Sequence, residues 1–221
     1  MGNFKSKISY YIRKLETHYY KLILDKKRPL IIITGCGRSG TTFSSKVLRQ
    51  MGLEIGHERL KKNGISSWYM VSQKKKVELG PSLYDLEKFE KIIIHQVREP
   101  LPAISSMLST GSPSWRFLSY EIPIDIENDS KILKAMKYYF YWNKQTENIT
   151  NIRIKAEEFT LSIEKILKEH NLNYNSGTVN IDKKTKVNTR KHNQLSWQDL
   201  TKEDEILAEK IKKLGEEYGY S

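Results

Sequence analysis

Apolar residues recur along this chain with two different periods, and the changes from one to the other outline its elements. From residue 4 to residue 25, Phe4, Ile8, Ile12, Leu15, Tyr19 and Leu22 stand three or four positions apart, with Lys5, Lys7, Arg13, Lys14 and Lys21 between them. That spacing predicts an amphipathic helix with a basic polar side. Lys26, Lys27, Arg28 and Pro29 interrupt it, and Leu30-Ile31-Ile32-Ile33-Thr34 follows. A short, wholly apolar, β-branched run is the pattern of a strand buried on both faces in a parallel sheet. Glycines and hydroxyl residues come next, and helical spacing resumes from Phe43 to Met51. Strand and helix recur at Lys91 to Val97, with Pro100 and Pro102 suited to the helix's first turn and Ile104, Met107 and Leu108 to its buried side.

Residues 130–148 carry the clearest helical pattern, entered through Asp129 and Ser130, with Ile132, Leu133, Met136, Tyr139, Phe140 and Asn143 on one face. Asn151 to Ala156 predicts a further strand, and Ile163 to Leu167 a short helix. The polar stretch from Asn171 to Gln194 predicts a loop. A last helix starts at Thr201, whose side chain can cap it with Asp204 three residues on, and stops at Gly215. Leu108 to Asp129 holds Pro113, Trp115, Phe117, Tyr120 and Pro123 without clean periodicity, which predicts an ordered long loop of the kind that lids a site. Strand-to-helix units joined by long connections favour a parallel sheet. The expected class is therefore α/β: a single domain over residues 29–221, with a central parallel β-sheet flanked by helices. Residues 1–28 form a basic amphipathic helix that belongs to it or is appended to it.

Composition narrows this picture. A chain of 221 residues with 38% apolar content has enough for one core and falls short of two comfortable domains. Its 29% charged and 10% aromatic residues argue against disorder over most of its length. The single cysteine, Cys36, excludes an intramolecular disulfide and cannot alone make a cysteine-based zinc site. The formal net charge of +12 attracts anions over long range. No apolar run approaches the ~18 residues of a membrane helix, and the N-terminus lacks the apolar block of a signal peptide. The expectation is a soluble, cytoplasmic protein whose basic N-terminal helix is compatible with peripheral membrane contact. Met1 to Ser6 also fits the short N-myristoylation pattern.

The chemistry concentrates in Gly35-Cys36-Gly37-Arg38-Ser39-Gly40-Thr41-Thr42, between a predicted buried strand and a helix. Without Cβ atoms the backbone can curl so that several N–H groups converge on one anion at the positive end of a helix. A phosphate group is the expected ligand. The nucleotide-triphosphatase loop G-x-x-x-x-G-K-[ST] needs Lys after its second Gly. Here Gly35 and Gly40 have that spacing, but Thr41 takes the place of the Lys and the cation is Arg38. Nor does the second apolar strand end in an acidic magnesium anchor; it runs His95-Gln96-Val97-Arg98. A metal-free site is expected, its anion neutralised by arginine and backbone donors.

The loop G-C-G-R-S-G-T-T followed by V-R-E-P-L-P-A-I-S-S resembles the sulfotransferases that use 3′-phosphoadenosine 5′-phosphosulfate (PAPS). In that family the first segment holds the 5′-phosphosulfate, and a strand-end Arg with a Ser eight residues later holds the 3′-phosphate; Arg98 and Ser106 have that spacing. The R-S-G-T-T run is more similar to the Golgi, tyrosylprotein and bacterial branches than to the cytosolic branch, which has K-S-G-T-T-W. Arg153 to Phe159 (R-I-K-A-E-E-F) resembles the family's strand-to-E-D-L segment, so the likeness spans Leu30 to Phe159. The resemblance implies a P-loop NTPase-like sulfotransferase fold, PAPS as co-substrate, adenosine 3′,5′-bisphosphate as product and no metal. It implies Arg38 at the sulfuryl oxygens, and Gly37, Ser39, Gly40, Thr41 and Thr42 around the 5′-phosphate. Phe43 would stack on adenine or sit in the core, and Arg190 and Lys191 would belong to a late basic loop closing over the 3′-phosphate.

Moving a sulfuryl group to a hydroxyl or amine requires a proton acceptor near the loop. The run Gly56-His57-Glu58-Arg59 resembles the tyrosylprotein branch, whose catalytic Glu matches Glu58; the cytosolic branch uses a histidine, which makes His57 the second candidate. Trp68 and Tyr69 suit either an acceptor pocket or the core. The acceptor is expected to be a carbohydrate or small hydroxylated metabolite, with peptide as a further option and no nucleic acid. Two other readings compete: a P-loop nucleotide kinase or triphosphatase, and a non-catalytic binder of anionic polymer. A Cys36-dependent phosphatase is rejected because its loop needs Arg six residues later, where Thr42 stands.

Overall fold

Leu30–Thr34 forms β1, every residue of it buried, and Lys91–Val97 forms β4 beside it. The computed structural model that places them describes residues 2–24, 28–72, 80–176 and 194–220, with residues 2–10 as backbone only. The other strands are β2 (Ile55–His57), β3 (Gly64–Ser66) and β5 (Ile152–Lys155). They make one five-stranded sheet in the order β2-β3-β1-β4-β5, all pairings parallel. The helices are α1 (Gly2–Ile23), α2 (Thr41–Gln50), α3 (Pro100–Met107), α4 (Ser112–Ser119), α5 (Lys131–Glu147), α6 (Phe159–Glu169), α7 (Trp197–Glu203) and α8 (Glu205–Glu217). Central strands that read as unbroken apolar runs are what a sheet covered on both faces demands.

On one face Ile31, Ile33, Ile92 and Ile94 pack against Val47, Leu48 and Met51 of α2 and Phe159, Ile163 and Leu167 of α6. On the other, Leu30, Ile32 and Ile65 meet Leu60, Tyr69, Met70, Leu86 and Phe89, with Tyr20 and Leu24 of the N-terminal segment at the border. Next to them α3, α5 and α8 enclose Val97, Met107, Tyr139, Trp142 and Ile211. Each such aliphatic side chain, fully buried, contributes about 1.5–3 kcal/mol, so the sheet position of the loop after β1 is firmly held.

Four expectations need correction. The segment from Leu108 to Asp129 is not all loop: α4 lies within it, started by Pro113 in its first turn, with Trp115 and Leu118 buried. The single late helix is two. Ser196 and Asp199 form a reciprocal capping box at α7, and Asp204 caps α8 by accepting from the Leu207 amide at 2.9 Å. Thr201 instead sits inside α7, its hydroxyl donating to the Trp197 carbonyl at 2.9 Å. Gly215 does not end the last helix; it lies inside α8, where a Cβ would come 2.8 Å from Pro100 Cγ, so it serves close packing of α8 on α3. Finally, the buried face of α5 is wider than its six predicted positions and includes Tyr138, Trp142 and Thr146. Arg190 and Lys191 lie outside the described residues. No helix among the described residues is long and apolar enough to cross a membrane.

Candidate functional site

The chain leaves β1 at the carboxyl edge of the sheet and turns through residues 35–40 into α2. Two residues of this turn have left-handed backbone: Arg38 (φ 72°) and Gly40 (φ 100°). Gly40 tolerates this conformation without Cβ crowding. Arg38 does not, and strain of about 1–3 kcal/mol at a non-glycine residue persists only where its surroundings enforce it. Those surroundings are visible. Arg98, one residue beyond β4, donates through Nη1 to the Arg38 carbonyl at 3.1 Å, and Arg38 Nε donates to Ser106 Oγ at 2.7 Å. The Arg98 carbonyl in turn accepts from the Tyr139 hydroxyl at 2.8 Å. Arg38, Arg98 and Ser106, up to 68 positions apart in sequence, therefore form one linked group.

The first helical hydrogen bond of α2 runs from the Ser44 amide to the Gly40 carbonyl at 3.1 Å. The amides of Thr41, Thr42 and Phe43 thus have no acceptor within the helix, the usual condition of a helix N-terminus. With the helix dipole they favour a negative charge there. Deeper in the turn the Gly37 amide donates to the Tyr138 hydroxyl at 2.7 Å. Tyr138 is buried, which pushes its phenol well above the usual range and keeps it neutral.

Opposite the turn, β2 delivers His57 and Glu58. His57 Nε2 lies 2.9 Å from Thr42 Oγ1. Burial lowers the pKa of its imidazole, against the opposing pull of Glu58. Glu58 also has left-handed backbone, φ 56°. Its carbonyl accepts from the Tyr69 hydroxyl at 2.8 Å, its Oε1 from Trp68 Nε1 at 3.3 Å, and its Oε2 faces Arg13 of α1 at 3.7 Å. Two of the three non-glycine residues with positive φ among the described residues thus border one cavity.

That cavity has a volume of about 310 Å³. Arg38 and Arg98, the helix start at Gly40 to Phe43, and His57, Glu58 and Trp68 line it, and Ser109 to Gly111 with Ser114 close its rim. The segment predicted to lid a site therefore does border it, through the start of α4. Of the predicted site residues, Gly37, Arg38, Gly40, Thr41, Thr42, Phe43, His57, Glu58 and Arg98 share this cavity. Ser106 reaches it through Arg38. Ser39 is fully buried and does not line it. Phe43 borders the cavity and also packs against the α2 and α6 core.

Sequence reasoning missed Tyr138 and Arg13. Tyr138 lies off the apolar stripe by which α5 was recognised, and Arg13 reads as one more base of an amphipathic helix; neither carries a motif. Cys36 is fully buried, and desolvation pushes its thiol up to about 12, which makes it a core residue and no nucleophile. His95 is likewise buried, with Nε2 3.0 Å from Asn143 Oδ1 and a pKa lowered to about 4, chiefly by burial. No protein-family model, curated protein or solved structure gives a significant match to the chain.

Proposed function

We propose that the protein is a PAPS-dependent sulfotransferase. The observation that carries this reading is the convergence, in one cavity, of unsatisfied helix N-terminal amides, two arginines joined by the Arg98 bond to the Arg38 carbonyl with Ser106 bound to Arg38, and a carboxylate facing them. Such a donor set suits a nucleotide with phosphates at two places, because it offers cationic and amide donors without an acidic residue at the end of β4. The amides of Thr41 to Phe43 and the Thr42 hydroxyl receive the 5′-phosphate, and Arg38 the sulfuryl oxygens. Arg98 and Ser106 receive the 3′-phosphate. Phe43 offers a ring to the adenine. The fold in this reading is the P-loop type that the sequence resembles.

In the reaction the acceptor oxygen or nitrogen forms a bond to sulfur as the bond from sulfur to the bridging 5′-phosphate oxygen breaks. The acceptor proton passes to the Glu58 carboxylate, and the electron pair of the broken bond leaves on adenosine 3′,5′-bisphosphate. Arg38 offsets the charge that gathers on the bridging oxygen. Trp68 and Arg13 hold the two carboxylate oxygens of Glu58, so the base is oriented before the acceptor arrives. His57, bonded to Thr42, steadies the loop and stands second as base.

Incubation with sulfate-labelled PAPS and a panel of carbohydrate, small hydroxylated and peptide acceptors tests this. Label is expected on one class of acceptor, and Glu58→Gln is expected to reduce its transfer by about 10²-fold or more while adenosine 3′,5′-bisphosphate still binds. Full transfer by Glu58→Gln removes Glu58 from the role. Stabilisation by ATP with magnesium, and none by the bisphosphate, would favour the kinase or triphosphatase reading.

A further inference from the structure

Helix α1 has two unlike faces. One is turned to the protein: Thr17 is buried, Tyr20 packs at the sheet border, Arg13 faces Glu58, and Glu16 lies 3.5 Å from Arg59 and 3.6 Å from Lys61. The other is apolar and largely exposed. Leu15 is 70% exposed and Leu22 72%, with Tyr11, Ile12, Tyr19 and Ile23 also exposed beside them. At 100° per residue these six positions fall within about a third of the helix circumference. An apolar stripe of this extent on a helix anchored by its opposite face is an interaction surface.

Charge narrows what covers it. Residues 2–28 contain eight Lys and Arg and only Glu16 and Asp25 as acids, so about one eighth of the chain holds half of the net charge of +12. Lys14 and His18 are exposed on the helix, and Lys21 lies 3.6 Å from Asp85 with more than a third of its side chain exposed. A second copy of this chain would bring the same positive segment against itself, which disfavours self-pairing. A nucleic acid or other acidic polymer would satisfy the bases and leave the leucines in water. An anionic lipid surface offers both an acyl layer for Tyr11, Leu15, Tyr19 and Leu22 and acidic headgroups for the lysines.

We infer that α1 docks the protein on anionic membranes, lying in the interface with its Leu15 and Leu22 side toward the acyl chains. This does not depend on the reaction proposed for the cavity. The docked helix is also the one whose Arg13 faces Glu58 of that cavity, so the site lies next to the docking element.

Flotation of the full chain with vesicles tests the inference. Binding is expected to vesicles of phosphatidylcholine with phosphatidylserine, not to phosphatidylcholine alone, and to fall as salt is raised. Replacing Leu15→Glu and Leu22→Glu together is expected to lower the partition coefficient at least about tenfold with an unchanged melting temperature, because both side chains are mostly exposed. If that pair unfolds the protein, Leu15→Ser with Leu22→Ser serves the same purpose and is expected to weaken binding in the same direction. Three results would overturn the inference: no binding of the unaltered chain to anionic vesicles, equal binding to neutral ones, or undiminished binding by the leucine variants. Retention on heparin without vesicle binding would assign the bases to a polymer, and a dimer lost in the leucine variants without vesicle binding would assign the stripe to self-association.

Discussion

At the scale of single residues, the cavity is defined by side chains whose backbone is held away from its relaxed form. Arg38 and Glu58 stand in the left-handed region across the same space. The contacts that hold them come from four separate stretches of chain: Arg98 and Ser106 for one, Trp68 with Tyr69 and Arg13 for the other. Arg38 was legible in the sequence because it sits inside a glycine pattern, and Glu58 because it follows Gly56-His57. The partners that orient Glu58 were less so, since Arg13 has no local signature and Trp68 suited the core equally well. In fact Trp68 is core on one side, packed on Tyr138 and Trp142, and wall on the other.

A second residue-scale consequence concerns stability against acid. His95 is neutral in its buried site with a pKa of about 4 against 6.5 when exposed. The unfolded chain therefore binds a proton at a pH where the folded chain does not, and folding stability falls as pH drops from about 6.5 toward 4. Between pH 6.5 and 5 the loss from this group is about 2 kcal/mol. Denaturant melts at the two pH values check it, and His95→Gln is expected to flatten the difference. An equal slope in the variant would locate the acid sensitivity elsewhere.

At the scale of elements, long regular runs were readable and short ones were not. The strands β1 and β4 announce themselves as unbroken apolar stretches, and α5 by its caps and period. By contrast β2 and β3 have three residues each, Ile55-Gly56-His57 and Gly64-Ile65-Ser66, too few to display a period. Yet the candidate base, Glu58, directly follows β2. Their presence follows from tertiary pairing: Gly64 lies so near β1 that a Cβ there would come 1.9 Å from the Ile31 carbonyl oxygen. The misread C-terminus has a similar cause. Thr201 and Asp204 fit a cap, but Ser196 with Asp199 and then Asp204 alone are the caps used. Asp204→Ala is accordingly expected to cost about 1 kcal/mol of stability through the start of α8, measurable in urea melts, whereas Thr201→Ala is expected to change little.

At the scale of the whole molecule, the sheet order sets the function proposed. With β1 central and β4 beside it, the turn after β1 and the arginine after β4 emerge at the same edge, and β2 and β3 on the other side bring His57 and Glu58 up to the turn. The parallel α/β class was readable from strand and helix alternation, and so was the pairing of the two basic segments. The rim was not, because α4 is short and its apolar residues, Trp115 and Leu118, show no extended period. Basic charge is shared between this cavity and the N-terminal helix, for which we propose different partners: a doubly phosphorylated nucleotide in one and a lipid surface at the other.

The most direct test of the central claim is titration of adenosine 3′,5′-bisphosphate into the protein in the presence of a chelator, compared across the unaltered chain, Arg38→Ala and Arg98→Ala. Saturable one-to-one binding without any divalent ion is predicted, weakened at least about tenfold by each substitution, as expected for the loss of a charge-assisted contact. Absence of binding, binding that requires magnesium, or affinity indifferent to both arginines would contradict the account.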